Sequence, residues 1–308
     1  MTHPFRGILA LLVVTIAWGT TFPAMKDLTA VFSPLWIIFI RFALGALLLA
    51  PFLLGASRRD GAVGALLGVL LFACYLFQVE GLALTTSNRN AFITGLNVLV
   101  VPLLGIVAGK MPSRRIALAL VLAVAGLFAL CGDGGAWGRG DSLALAGAFC
   151  FGLYIKMLEV TTRKADHLIA LTAAQVVGVA LCAALLLWLR EVPGAPWPGA
   201  PLQGGAAAVE YWAGIWRGVR THAVNFAYLG LICTAAIIAL QTWGQRHSTA
   251  NEAAVIYAFE PACAAFFAYL WLGEAMTAWG WAGAAMLISG MIVSQWNSAR
   301  PPSSLAPE

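Results

Sequence analysis

The chain has 308 residues, 61% of them hydrophobic and 10% charged, with a mean hydropathy of +0.86. An ordinary globular chain of this length, about 25% charged, would carry roughly 77 charged side chains. This one has 18 Lys and Arg and 13 Asp and Glu, too few to coat a surface in water, which excludes a soluble enzyme, a disordered scaffold and a nucleic-acid binder and requires a surface coated by lipid.

A helix needs about 20 predominantly apolar residues to cross the hydrocarbon. Runs of that kind lie at 5–26, 34–54, 62–84, 90–109, 115–132, 141–160, 167–189, 224–246, 252–272 and 277–296, and predict an all-α membrane protein of ten transmembrane helices. The first run follows Arg6 like a signal peptide, but Trp18 interrupts any small-residue cleavage site and the run continues to Met25, so it is read as a span. The one long connection, 190–222, opens with Pro193, Pro196, Pro198 and Pro201. It continues with Val209, Trp212, Ile215, Trp216 and Val219 at helical spacing, which suits a short interfacial helix; the alternative is a variable loop without function. Residues 298–308 read as a disordered tail. The six Cys lie in or at the ends of spans without CxxC spacing, which indicates neither a disulfide framework nor a metal site.

Basic residues set the orientation. One side collects Arg6, Arg58, Arg59, Lys110, Arg114, Arg115, Lys156, Arg163, Lys164, Arg246 and Arg300. The short connections on the other side hold only Lys26, Arg89 and Arg139, so both termini are predicted cytoplasmic.

The chain also repeats itself. Moved forward by 163 positions, residues 75–93 set Gln78 on Gln241, Gly81 on Gly244, Thr86 on Thr249, Asn88 on Asn251, Ala91 on Ala254 and Ile93 on Ile256. A weaker match at a shift of 133 sets Trp18-Gly19 on Phe151-Gly152. Residues 1–139 and 140–297 therefore each hold five spans, an odd number, so the second unit enters the membrane upside down. Inverted repeats are a signature of secondary transporters, whose halves rock about a midplane site. Pro102 and Pro261, in the fourth and ninth spans, each remove a backbone hydrogen bond and bend or loosen the helix; a static kink is the competing reading.

Ionisable groups within hydrocarbon are costly and point to function. Glu260, just before Pro261, is the deepest. Its repeat partner is Asn97, and Tyr257 pairs with Thr94; in each pair the two residues share one helical face. With Gln78 and Gln241 these faces predict a polar ring near the pseudo-twofold axis. The competing role for Glu260 is to bond backbone freed by Pro261. Arg41 either fixes packing or faces the cavity, Lys156 snorkels to the surface, Glu80 reads as a solvated mouth residue and Gln175 as an interhelical hydrogen-bonding group. Trp36, Trp188, Trp271, Trp279, Trp281 and Trp296 lie near span ends and read as an interfacial belt. Trp18, Tyr75, Tyr154, Trp243 and Tyr257 lie inside spans and are candidates to line a cavity. No H-E-x-x-H, G-x-S-x-G, intramembrane Asp pair or P-loop is present, so neither an enzyme nor an ATP-driven pump is indicated, and no cofactor.

Trp18-Gly19 with Pro23, Pro34-Leu35 followed by Arg41, Asn88-x-Asn90-Ala91, and Glu260-Pro261 followed by Leu272-Gly273-Glu274 resemble the drug/metabolite transporter superfamily, specifically its EamA-type ten-helix exporters, over about residues 5–296. Within that group the chain looks most like the YddG-type aromatic amino-acid exporters of bacterial inner membranes. The resemblance implies alternating-access efflux of aromatic and other neutral amino acids through a cavity between the halves, by a monomer or a homodimer in the lipid bilayer. One departure is that Val98 stands where many members have a proline matching Pro261. Efflux of lipophilic cations or drugs, or a membrane receptor without flux, are the alternatives, and coupling through Glu260 is an expectation of its own.

Overall fold

The structure, a computed structural model, describes residues 3–107, 109, 111–130, 137–193, 206–275 and 277–295, and all regular elements among them are helical. In chain order these are α1 (His3–Leu28), α2 (Pro34–Leu49) with a 3-10 turn at Ala50–Gly55, α3 (Arg58–Leu84), α4 (Ser87–Gly95), α5 (Asn97–Val107), α6 (Arg114–Leu130), α7 (Arg139–Thr162), α8 (Leu168–Arg190), α9 (Ala206–Thr221), α10 (Ala223–Ala227), a π-helical stretch at Tyr228–Ala236, α11 (Ile237–Arg246), α12 (Ala250–Tyr257), α13 (Glu260–Leu272) and α14 (Ala278–Gln295). Among the described residues, eight segments are long and apolar enough to cross a membrane. The other two predicted spans are the helices α6 and α14, of 17 and 18 residues, which pack along one another. The tail 298–308, Trp296, Cys131, Lys110 and the prolines at 196, 198 and 201 lie outside the described residues.

Local chemistry starts and stops these helices. Ser33, Ser57 and Thr86 each accept a backbone N–H three residues on, and Pro34 follows its cap at the first helical position, where its missing N–H costs nothing. Thr249 forms a capping box with Glu252, so the repeat partners Thr86 and Thr249 do the same job at the starts of α4 and α12. Gly273 ends α13 at φ 70°, a conformation that a β-carbon would strain. Asp60 reaches from α3 to accept the backbone N–H groups of Asp166 and His167, which fixes where α8 begins.

The helices approach closely through glycines, and these contacts recur in pairs. A methyl group added at Gly81 would lie 2.8 Å from the carbonyl oxygen of Gly140, and one added at Gly7 would lie 3.1 Å from that of Gly244. Gly244 is Gly81 moved by 163 positions and Gly140 is Gly7 moved by 133, so α3 meets α7 as α11 meets α1. Likewise Gly19 abuts Cys263 as Gly152 abuts Val100, at the same two shifts.

The fourth and ninth predicted spans are each two half-helices. The first breaks at Leu96, between α4 and α5; the second breaks at Ala258 and Phe259, between α12 and α13. Leu96 and Phe259 are partners at the shift of 163, and the N–H of each turns back to the carbonyl three residues earlier, Ile93 or Ile256. Pro102 lies inside α5, six residues past the break. Pro261 sits in the first turn of α13.

The amphipathic segment after the proline run is helical, as α9, and docks on the start of α2. Trp36 Nε1 donates to the Tyr211 hydroxyl at 2.8 Å and its ring meets Trp212 at 5.8 Å. Trp36 is therefore buried under α9 rather than part of an interfacial belt, whereas Trp188, Trp271, Trp279 and Trp281 are exposed.

Candidate functional site

Where the broken helices meet α1, α3, α7 and α11, a small cavity opens. Trp18, Thr21, Tyr75, Gln78, Thr94, Asn97, Phe151, Ile155, Gln241, Tyr257 and Glu260 line it. Its free volume is about 20 Å3, room for about one water molecule. A solute larger than water fits only if the lining helices move apart.

The lining is organised by the repeat. Trp18 and Phe151 are partners at the shift of 133; Gln78 and Gln241, Thr94 and Tyr257, and Asn97 and Glu260 are partners at 163. Asn97 and Glu260 are also the first residues of α5 and α13, so both half-helices start at the cavity wall with the positive end of the backbone dipole there. A carboxylate at that position is favourable, and Glu260 supplies it. No hydrogen bond or ion pair to its carboxylate occurs among the described residues, and the side chain is partly open to the cavity.

Five lining atoms lack a hydrogen-bond partner among the described residues: Trp18 Nε1, Thr94 Oγ1, Asn97 Oδ1, Gln241 Oε1 and Tyr257 Oη. Gln241 stands beside the Tyr257 hydroxyl without meeting hydrogen-bond geometry. Buried polar groups are otherwise paired almost everywhere in proteins, so this concentration sets the cavity apart as the candidate site. The Trp18 and Tyr257 rings, 5.6 Å apart, and the Tyr75 and Phe151 rings, 5.8 Å apart, add apolar and π-electron surface.

Arg41 does not line the cavity. It lies behind Tyr75, with its guanidinium carbon 4.8 Å from the ring centre, and it is 1% exposed. Its Nε donates to Thr234 Oγ1 at 2.7 Å and Nη2 points to the Cys233 carbonyl at 3.5 Å, both in the π-helical stretch. A π turn widens the helix by one residue and commonly marks a functional position; here it seats a buried cation. Arg41 and Glu260 are within electrostatic reach but form no ion pair. Tyr75, which contacts Arg41, lines the same cavity as Glu260.

Two predicted lining residues lie elsewhere. Tyr154 is buried away from the cavity, its hydroxyl donating to Gln175 Oε1 at 2.7 Å between α7 and α8. Trp243 is 36% exposed and packs on His247, because two residues of helix turn it about 200° from Gln241. Lys156 pairs with Glu159 one turn on. Thr21, Phe151 and Ile155 line the cavity without having been singled out. Phe151 carried a signal, as the repeat partner of Trp18; Thr21 and Ile155 carried none.

A helical bundle with discontinuous helices meeting at a central polar cavity is the class of structure this describes. The profile of the EamA-like transporter family matches residues 5–131 and 138–295. The chain belongs to that family and is a multi-pass membrane protein. It is 26% identical over 291 residues to an uncharacterized transporter of Archaeoglobus fulgidus, covering 92% of this chain and 84% of the relative. A solved crystal structure has the same fold at a TM-score of 0.65 and 16% identity, over 93% of this chain and 95% of the other.

Proposed function

We propose that this protein is an alternating-access secondary transporter that exports small amphipathic metabolites, aromatic and other neutral amino acids foremost, from the cytoplasm across a bacterial inner membrane. In this reading it has ten spans in two inverted five-helix units, 1–139 and 140–297, with both termini cytoplasmic. The observation that carries it is the pairing of the cavity's lining residues at the internal repeat shifts, together with the paired breaks at Leu96 and Phe259. Two similar halves that share one cavity can expose it to either side by exchanging conformations. The doubled family match supports the division into units.

The lining favours a solute with an ammonium group and an apolar body. Glu260 offers the countercharge, the amides of Gln78, Asn97 and Gln241 offer donors to a carboxylate, and four aromatic rings offer the rest. Because Glu260 is the lining's one formal charge, lipophilic cations are a second reading. Counterflow of labelled phenylalanine in liposomes holding only this protein tests transport, and competition by amino acids against quaternary amines separates the two solutes. A receptor without flux would give no counterflow at all. Proton coupling through Glu260 requires that Glu260→Gln lose the pH dependence of exchange; an unchanged profile ends that idea.

A further inference from the structure

At the end of the bundle where the basic residues gather, a second and larger pocket of about 450 Å3 lies between helices α1, α6, α7, α11 and α12. Arg115 of α6, Arg163 at the end of α7 and Arg246 at the end of α11 converge on it, with Thr249 and Glu252 from the start of α12. An excess of Arg and Lys on one face is what membrane orientation alone produces, and Arg58 and Arg59 are exposed on α3 in that way. Arg115, Arg163 and Arg246 differ, because three separate helices bring them to one concave site.

Among the lining residues three guanidiniums stand against one carboxylate, and the neighbouring Lys156 and Glu159 add one charge of each sign. Lys156 and Arg163 share Glu159. Glu252 accepts from the Thr249 N–H at 2.9 Å and hydroxyl at 3.0 Å. Four cations against two carboxylates leave a surplus of two positive charges. Guanidinium forks match the oxygens of phosphate in pairs, and Arg163, whose Nη2 donates to Glu159 Oε1 at 3.1 Å, keeps a side chain that is 53% exposed.

We propose that this pocket is a phosphate-binding site, separate from the central cavity and independent of which solute that cavity takes. It takes a phosphate group, either as free inorganic phosphate in solution or as the phosphodiester of a lipid headgroup. Arg163 lies eight residues, about 12 Å of helical rise, beyond the cavity residue Ile155. A bound phosphate would thus bridge α6, α7 and α11 at the mouth of the central site.

The test is equilibrium binding of radiolabelled inorganic phosphate to the full chain in neutral detergent. Saturable binding is expected, weakened about tenfold by Arg246→Gln or Arg163→Gln through loss of a charge-assisted contact. Glu252→Gln is the second variant: glutamine keeps the capping box, so the helix start survives while phosphate binding strengthens. Arg59→Gln is expected to change nothing. Repeating the measurement in nanodiscs identifies the source: phosphatidylglycerol displaces phosphate if the occupant is a headgroup, and leaves it unaffected if the occupant is soluble. Binding that is absent, that responds equally to Arg59→Gln and Arg246→Gln, or that Glu252→Gln weakens overturns the proposal.

Discussion

The Arg41 guanidinium stacks on the Tyr75 ring at 4.8 Å, and Tyr75 lines the cavity while Arg41 does not. A buried cation is thus held by neutral partners, the Thr234 hydroxyl, the Met25 sulfur and an aromatic face, with no carboxylate in ion-pair range among the described residues. Lysine has neither the planar face nor the fork that this seat uses. Arg41→Lys is therefore expected to lower stability by about 1.5–3 kcal/mol, the worth of a hydrogen bond to a charged group. Thermal unfolding in detergent measures it, and counterflow should fall with it.

The glycine contacts give a prediction with two signs. A β-carbon at Gly81 meets backbone at 2.8 Å and one at Gly244 meets Leu11 at 2.9 Å, so Gly81→Ala and Gly244→Ala should each cost about 1–3 kcal/mol as overpacking. Gly61 and Gly214 are helical with nothing within 4 Å of an added β-carbon. Alanine there should stabilise by about 0.5–1 kcal/mol. One set of melting curves on the four variants decides it.

Glu191 closes α8 and accepts from the Ser33 hydroxyl at 2.6 Å, next to the start of α2. Burial pushes its carboxyl above the usual carboxylate range, the Ser33 hydrogen bond draws it back in part, and the Glu80 charge pushes it further up. The folded protein therefore binds this proton more tightly than the unfolded chain, so stability falls as pH rises from the ordinary carboxylate value through the raised one. Glu191→Gln should flatten that part of the melting temperature against pH, and the two proteins should differ most above it. Identical pH profiles would show that the burial has no such cost.

Helix α9 is held by few polar contacts, chiefly the Trp36 to Tyr211 hydrogen bond. Tyr211→Phe leaves the indole N–H without its acceptor and should cost about 1–3 kcal/mol locally. Hydrogen exchange over residues 206–221 should speed up while α3 and α8 keep their protection.

The site was legible where the sequence spends polar residues in an apolar run. Gln78, Thr94, Asn97, Gln241, Tyr257 and Glu260 stand out because hydrocarbon penalises them, and the repeat places them in register. Trp243 illustrates the limit of choosing aromatics by depth alone, since its angle from Gln241 already turns it away. Arg41 was visible as a buried charge, but its seat was not, because nothing in Tyr228–Ala236 announces a π helix. The break at Leu96 was hidden for a related reason. No proline lies at the break; α4 ends on Gly95, and a single glycine in an apolar run is a far weaker signal than a proline.

One feature of the repeat bears on the direction of transport. In a perfectly duplicated protein, the state open to one side and the state open to the other would be images of each other with equal energy. Asn97 and Glu260 occupy equivalent places at the heads of α5 and α13, yet only one of them carries charge. In the alternating-access reading proposed above, that difference is expected to tilt the balance between the two end states, so Glu260→Gln should change how long the cavity faces each side of the membrane.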